Sequence, residues 1–208
     1  MNAKLRLSVF DLADGETLLP EDDERVHFVY VRNGSARVAF DGTEQELAAD
    51  GGCFAHGRVM VAPGSDVWLF EKSTTAAPPL DAEIVASYPA PLAFDGPFII
   101  RADRIESQHG AQTPRHGHRG PGMRRLIHGT LRAELGDSVR RIGAGDAWFE
   151  AGQEPVVGTN YGGTNAAFVR LLVLPAELRD GQSSFVAADP HEAQKPRAVD
   201  QRLFGEIG

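Results

Sequence analysis

The chain contains 208 residues, of which 42% are hydrophobic and 24% are charged, a composition typical of a folded globular protein. This length is sufficient for one large domain or for two compact domains of about 100 residues each. The net charge of −8 argues against nucleic acid as the main partner, because phosphate binding requires a basic surface.

Cys53 is the single cysteine, so no intrachain disulfide can form, which fits a reducing cytosol. The N-terminal segment MNAKLRLSVFDLADGE lacks the apolar region of a signal peptide. No apolar run approaches the ~18 residues that are needed to cross a bilayer. We therefore expect a cytoplasmic protein that acts on neither nucleic acid nor a membrane.

Short segments rich in β-branched and aromatic residues recur between Gly, Asp, Asn and Pro residues. In chain order they include VHFVYVR, ARVAF, DVWLFEK, PFIIRA and FVRLLVL. Such segments predict strands, and many short strands at spacings of roughly 8–12 residues are typical of a β-sandwich or a β-barrel. The predicted fold class is therefore all-β.

Glycine and aromatic residues recur at a constant offset of 95 residues, which indicates an internal repeat. The pairs are Gly15 and Gly110, Gly34 and Gly129, Phe54 and Phe149, and Gly57 and Gly152. A Pro-rich stretch from Thr74 to Pro91 separates the two copies and does not suit a central strand. We therefore predict domains at residues 1–90 and 91–190, followed by a C-terminal arm at residues 191–208.

Residues 110–129 read GAQTPRHGHRGPGMRRLIHG. Five residues separate Gly110 from His116, and one residue separates His116 from His118. This segment resembles the first motif of the cupin superfamily, and residues 145–160, GDAWFEAGQEPVVGTN, resemble the second. The resemblance implies a bicupin, with tandem double-stranded β-helix (jelly-roll) barrels that often hold a divalent metal. The ligands that it implies are the two histidines, a Glu from the first motif and a His from the second.

The sequence departs from these motifs, because Gly122 stands at the Glu position and Val156 at the second His position. His116 and His118 can still face one side of a strand, and imidazoles suit Fe, Mn, Ni, Cu or Zn. A third ligand would have to come from His128, Glu150, water or the substrate. In the first copy, Glu21, Asp23 and His27 stand at the corresponding ligand positions; an acidic turn and a structural histidine explain them more simply than a metal site.

Two further residues are candidates for substrate binding. Arg124 is either a surface arginine or a clamp inside the barrel for a carboxylate or phosphate. Strand alternation from Gly122 would place Arg124 and His128 inside, although His128 also fits a simple strand end before a Gly turn. Tyr161 lies in the Gly- and Asn-rich segment Gly158–Asn165, which we predict to be a loop at the barrel mouth.

The sequence leaves two functions open. In the first, the C-terminal barrel binds a small polar or acidic molecule and acts as a divalent-metal-dependent oxygenase, isomerase or lyase. In the second, the barrel is a metal-free, non-catalytic site for sensing or storage of a small molecule. The retained histidine pair favours the first function, and the missing Glu and His favour the second. The resemblance to cupins also implies a homodimer.

Overall fold

The computed structural model describes residues 4–20, 24–40, 42–77 and 80–208. Nearly all of the regular structure in these residues is β-strand, joined by two short 3-10 helices at Ala176–Leu178 and Glu192–Gln194, which confirms the all-β prediction. Two compact units divide the chain, one ending at Ala90 and the other beginning at Pro91. Within the described residues, we find no helix long and apolar enough to cross a membrane.

The first unit consists of two antiparallel sheets, with strand orders β6-β3-β8-β1-β9 and β2-β7-β4-β5. Buried apolar side chains from both sheets form one cluster, which fills the space that the strands enclose. The strands are β1 Leu5–Leu12, β2 Gly15–Leu18, β3 Val26–Asn33, β4 Ser35–Phe40, β5 Thr43–Ala48, β6 Gly51–Ala55, β7 Arg58–Val61, β8 Asp66–Thr74 and β9 Glu83–Pro89.

The second unit has the same two-sheet plan, with strand orders β15-β12-β17-β10-β19 and β14-β13-β16-β11-β18. Residues from the predicted C-terminal arm supply β19, which pairs with β10 as an edge strand of the first of these sheets. The strands are β10 Phe98–Ser107, β11 His116–His118, β12 Gly122–His128, β13 Thr130–Leu135, β14 Ser138–Gly143, β15 Ala147–Glu150, β16 Val156–Asn160, β17 Ala166–Pro175, β18 Phe185–Ala187 and β19 Asp200–Ile207.

The repeated glycines Gly34 and Gly129 occupy the tight turns that end β3 and β12. Their φ angles are +80° and +86°, a region that side-chain-bearing residues rarely adopt. A Cβ at Gly34 would lie 2.2 Å from Ser65 Oγ, and one at Gly129 would lie 2.6 Å from Ala166 Cβ. Each position therefore requires glycine for both conformation and space, which explains why the pair recurs at the repeat offset.

The five segments that the sequence analysis identified as strands all coincide with strands of the structure. The predicted loop at Gly158–Asn165 is shorter than expected, because β16 continues through Asn160 and pairs with β13. The Asn160 side chain donates to Ser107 O and Thr164 O, so it closes the shortened loop against β10. The segment that is free of strand pairing therefore begins at Tyr161.

Candidate ligand-binding site

The second unit contains a cavity of about 160 Å³, lined by strands from both of its sheets. A cavity of this volume holds a molecule about the size of benzene. Apolar side chains form much of its wall, among them Ile105, Leu131, Ile142, Trp148, Val156 and Phe168. The polar and charged side chains that line it include His116, His118, Arg124, Glu150 and Arg170, which lie on β11, β12, β15 and β17.

His116 and His118 lie on β11 and both line the cavity, as alternation along a strand predicts. Their rings are nearly perpendicular, with centroids 4.9 Å apart. His116 Nδ1 lies 2.8 Å from Pro114 O. Because a carbonyl oxygen only accepts, this nitrogen is the donor, and a neutral His116 presents Nε2 as an acceptor.

Burial lowers the pKa of both histidines below the usual value, and the pKa of His118 lies well below it. The same burial that removes water from the rings disfavours their charged forms. His118 Nδ1 is 3.3 Å from Ser184 Oγ, and its Nε2 is 3.6 Å from Glu150 Oε2, too far for a hydrogen bond. The histidine pair is therefore neutral near pH 7.

Arg124 and Glu150 form an ion pair inside the cavity, with side chains that are 1% and 9% exposed. Arg124 Nη1 donates to Gly122 O at 2.9 Å, and Glu150 Oε1 accepts from Trp148 Nε1 at 3.0 Å. Arg124 Nη2 and Glu150 Oε2 are 2.6 Å apart, but their geometry is not that of a hydrogen bond. Neither atom has a hydrogen-bond partner within the described part of the chain.

Burial lowers the pKa of Arg124 to about 10, although the nearby carboxylate of Glu150 opposes this shift. The guanidinium is therefore still charged near pH 7. Its charge is met by Glu150 rather than left free for a ligand, which differs from the carboxylate clamp that the sequence suggested. Arg124 nevertheless lines the cavity, as strand alternation from Gly122 predicts.

A second ion pair beside the first was not identified from the sequence. Arg170 on β17 makes two hydrogen bonds to Asp103 on β10, at 2.5 and 3.0 Å, and Asp103 is fully buried. Gln201 on β19 donates to the same carboxylate at 2.6 Å. The available signal was the presence of charged residues inside two otherwise apolar strand segments, PFIIRAD and FVRLLVL.

The buried charges of the site sum to zero, since two guanidinium groups face two carboxylates and both histidines are neutral. Arg197, which lies over the ring of Phe185 at 4.4 Å, adds a cation at the cavity wall, but its residue is exposed. Solvent therefore screens the one positive charge that the site does not itself balance.

The strand register equates the charged positions of the cavity with positions in the first unit. Arg124 on β12 pairs with Arg170 on β17. In the first unit, Val29 stands 95 residues before Arg124 and pairs with Leu69, so Leu69 corresponds to Arg170. Asp103 pairs with Arg170 in the second unit, and Phe10 pairs with Leu69 in the first unit. Phe10 therefore corresponds to Asp103.

Ala55 corresponds to Glu150, because it stands 95 residues earlier in the sequence. All four counterparts of the charged residues belong to the buried apolar cluster of the first unit: Phe10, Val29, Ala55 and Leu69. The same strand framework therefore folds around an apolar core in one unit and around two ion pairs in the other. The fold itself does not require charge at these positions.

The side chains present do not fit the metal site that the resemblance implies. A Cβ at Gly122, the Glu position, would lie 2.4 Å from Leu172 Cδ2 and 3.2 Å from Arg124 Nη1. A guanidinium cation thus stands where a carboxylate ligand would be needed. Among the residues that the structure describes, no group of three or more His, Cys, Asp or Glu side chains is arranged to hold a metal ion.

Two candidates from the sequence lie away from the cavity. His128 is exposed, and its Nδ1 lies 3.1 Å from Asn165 O. Strand alternation alone would place His128 inside with Arg124, but the register of β12 against β17 shifts between Leu126 and His128. This β-bulge redirects the side chain. Tyr161 is 44% exposed and does not line the cavity.

The three candidates from the first copy do not assemble a site. Glu21 and Asp23 lie outside the described residues. His27 is buried with its Nε2 3.2 Å from Glu71 Oε2, and Arg25 Nη1 lies 2.9 Å from the same oxygen. His27 thus belongs to a buried ion-pair cluster, consistent with the structural role that we expected for it.

No protein-family model matches the sequence, and no curated protein matches it. Several solved structures are similar. AerE from Microcystis aeruginosa is 13% identical, with 82% of this chain and 87% of that chain covered and a TM-score of 0.56. The oxalate decarboxylase of Lactobacillus farciminis, solved as a formate complex, is 11% identical, with 94% and 82% covered and a TM-score of 0.63.

A mutant oxalate decarboxylase of Bacillus subtilis is 13% identical, with 94% of this chain and 74% of that chain covered and a TM-score of 0.60. The oxalate decarboxylase of this organism contains Mn(II) centres. At such low identity the likeness shows the fold alone. The chain has the cupin fold, and the prediction of a jelly-roll β-barrel is confirmed.

Proposed function

We propose that the chain is a two-barrel cupin whose second unit binds a small polar molecule in its cavity without a metal ion. The observation that carries this proposal is the buried Arg124–Glu150 ion pair, whose two side chains line the cavity at positions where the first unit has Val29 and Ala55. This is the non-catalytic alternative of the two functions that the sequence left open.

The energetics of buried charge support a ligand-binding role for this pair. Taking an ion pair out of water costs several kcal/mol per ion, and replacing such a pair by apolar residues is often neutral or stabilising. The first unit has the apolar solution at the corresponding positions. The two ion pairs in and beside the cavity of the second unit are therefore best explained by a role in binding a molecule there.

A metal-dependent enzyme is the second candidate, favoured by the neutral histidine pair at the cavity wall. Mn(II) centres in the Bacillus subtilis oxalate decarboxylase show that a similar fold can hold a divalent metal. In this chain, however, His116 and His118 would have to bind the ion beside the guanidinium of Arg124, whose charge repels a cation. Glu150, a third ligand that the sequence analysis considered, is paired with Arg124, so the two ring nitrogen atoms would be the main ligands.

The proposal is tested by metal analysis together with ligand-induced thermal stabilisation of the intact chain. Untagged protein is analysed by mass spectrometry after exposure to Fe, Mn, Ni and Zn, and ring-sized polar compounds are screened with and without a chelator. A compound at 100 times its Kd stabilises the folded state by about 2.7 kcal/mol. We expect substoichiometric metal, and stabilisation that the chelator leaves unchanged.

Arg124→Met should abolish the stabilisation by the compound, because it removes the cation that lines the cavity and leaves the buried Glu150 carboxylate without its partner. Arg125→Met is the matched control, since Arg125 is the next residue on β12, bonds Gly145 O and does not line the cavity. Near-stoichiometric metal that is lost in the His116→Ala/His118→Ala variant would instead establish the metal-dependent candidate.

A further inference from the structure

We propose that the cavity binds a neutral ring compound through a hydroxyl group that donates a hydrogen bond to His116 Nε2, an inference that rests on the proposed ligand-binding function. The class of ligand follows from the polar atoms of the cavity wall that keep accessible surface and have no hydrogen-bond partner within the described residues. These atoms include one imidazole nitrogen and one guanidinium nitrogen, and the cavity beside them has room for one small ring.

The acceptor that defines this ligand is Nε2 of His116. The other ring nitrogen, Nδ1, donates to Pro114 O at 2.8 Å, so Nε2 carries a lone pair in the neutral ring. Nothing in the described part of the chain bonds Nε2, but it is not inaccessible; the cavity atoms that lack both a partner and accessible surface are Arg124 Nη2 and Glu150 Oε2. Because His116 lines the cavity, a bound molecule can reach its Nε2.

Contacts with neighbouring rings hold His116 in this orientation. Phe185 stacks on the imidazole, with centroids 4.6 Å apart and ring planes 17° apart, and the ring of His118 lies nearly perpendicular to it. The guanidinium of Arg197 lies over Phe185 at 4.4 Å, so it supports the stack from the far side. The direction of the acceptor is thus set before a ligand binds, which lowers the entropic cost of binding.

Arg170 supplies the cavity with a donor. Its Nε and Nη2 both donate to Asp103, whereas Nη1 bonds none of the residues that the structure describes and, like His116 Nε2, is not inaccessible. The Arg170 side chain is 9% exposed and that of Asp103 is 0% exposed, so the guanidinium is the member of the pair that reaches the cavity. A hydroxyl both donates and accepts, which suits this wall, whereas a carboxylate has no proton to donate to His116.

The size and polarity of the cavity favour a hydroxyl on a small ring over a larger polar group. A volume of about 160 Å³ accommodates a molecule about the size of benzene, so room remains for a small substituent only. A carboxylate or an amide adds more atoms than a hydroxyl. The apolar wall that would surround the ring includes Leu131, Ile142, Trp148 and Phe168. A phenol or a small cyclic alcohol therefore matches both parts of the cavity.

Isothermal titration of the intact chain with phenol, toluene and benzoate tests this inference. Phenol and toluene have nearly the same shape and differ in the hydroxyl, whereas benzoate carries an anionic group in its place. A ligand that covers a buried polar atom without bonding it is disfavoured, because that atom loses its contact with water. We expect phenol to bind about tenfold more tightly than either of the other probes, with or without a chelator.

His116→Phe should remove this preference, because phenylalanine keeps a flat ring against Phe185 but has no acceptor nitrogen. We expect the affinity for phenol to fall by about tenfold in this variant while the affinity for toluene is retained. His128→Phe is the matched control, since His128 is exposed, lies near Asn165 O and does not line the cavity. This control should keep the preference of the wild type.

Equal binding of phenol and toluene, tighter binding of benzoate, or no binding of phenol to the wild type would overturn the inference. The proposed function fails separately, through near-stoichiometric metal or through the absence of any stabilising compound in the wider screen. If His116→Phe does not fold, as judged by circular dichroism, the comparison of the three probes on the wild type still decides the outcome.

Discussion

His118 illustrates how a buried titratable side chain couples the stability of the second unit to pH. Its ring is 8% exposed and lies against Ser184 and Glu150, and burial is the largest cause of its lowered pKa. In the unfolded chain the ring regains the ordinary histidine pKa of about 6.5. Between these two values the unfolded state binds a proton that the folded state does not, so stability falls as pH decreases below about 6.5.

We predict that His118→Gln makes the free energy of unfolding less dependent on pH below about 6.5. A histidine whose pKa is lowered in the folded state destabilises the fold below its unfolded pKa, by at most roughly 1–1.5 kcal/mol at pH 5.5. The variant should therefore lose less stability than the wild type between pH 7.5 and 5.5. Thermal unfolding followed across this range measures it, with exposed His191→Gln as the control. Parallel profiles for His118→Gln and wild type would contradict the prediction.

Strand β10 organises the second unit, because it pairs with both β17 and β19. Its residue Arg101 is almost fully buried and holds three separate segments together. Nε pairs with Glu206 on β19 at 2.6 Å, Nη1 donates to Gln182 O at 2.7 Å, and Nη2 donates to Leu178 O. One side chain therefore ties the C-terminal edge strand to the segment that follows β17.

We predict that Arg101→Met detaches β19 before the rest of the unit unfolds. Breaking a buried ion pair by removing one partner costs about 3–5 kcal/mol, and here two carbonyl contacts are lost as well. Amide hydrogen exchange in residues 200–207 should therefore accelerate more than exchange in β17. Arg104→Met is the control on the same strand, since its Nη1 bonds Glu106 near the end of β10. Uniform acceleration across all strands would contradict this prediction.

The strands and the histidine pair could be predicted from the sequence because they depend on local patterns. Strand segments show β-branched and aromatic enrichment, and His116 and His118 share a face because alternation has a period of two. His128 could not be placed in this way. The β-bulge after Leu126 breaks the alternation, and nothing in the segment LIHG distinguishes a bulged strand from a regular one.

The ion pairs of the cavity lie beyond prediction from this sequence for a different reason. Arg124 meets Glu150 because β15 lies beside β12, and Arg170 meets Asp103 because β17 lies beside β10. These are pairings between segments distant in sequence, and their register is set by the whole sheet. Only the presence of charge within apolar strands could be read in advance, not the partner of each charge.

At the scale of the whole molecule, the two units differ in how their interiors are filled. The first unit encloses a continuous apolar cluster. The second unit divides its interior between smaller apolar clusters and the polar cavity, whose lining residues all lie between positions 105 and 201. The homodimer and the cytoplasmic location expected from the sequence are independent of these features and stay predictions.

We predict that residues 91–208, expressed alone, bind the stabilising probe with the Kd of the intact chain. The reason is that every residue of the cavity belongs to the second unit. Isothermal titration compares the two proteins, and circular dichroism with thermal unfolding establishes that the fragment is folded. A folded fragment that binds more weakly by about tenfold, or 1.4 kcal/mol, would show that the first unit contributes to the site.

The offset of 95 residues between Gly34 and Gly129 recurs at three other residue pairs, which is the pattern that duplication of a single-barrel sequence would leave. Natural proteins keep only a modest margin of stability, so a single barrel can accept few buried charges before it ceases to fold. A duplicated chain relaxes this restriction, because one copy can retain Phe10, Val29, Ala55 and Leu69 in its interior while the other diverges. Selection for stability and selection for a new interior chemistry can then act on separate halves of one gene.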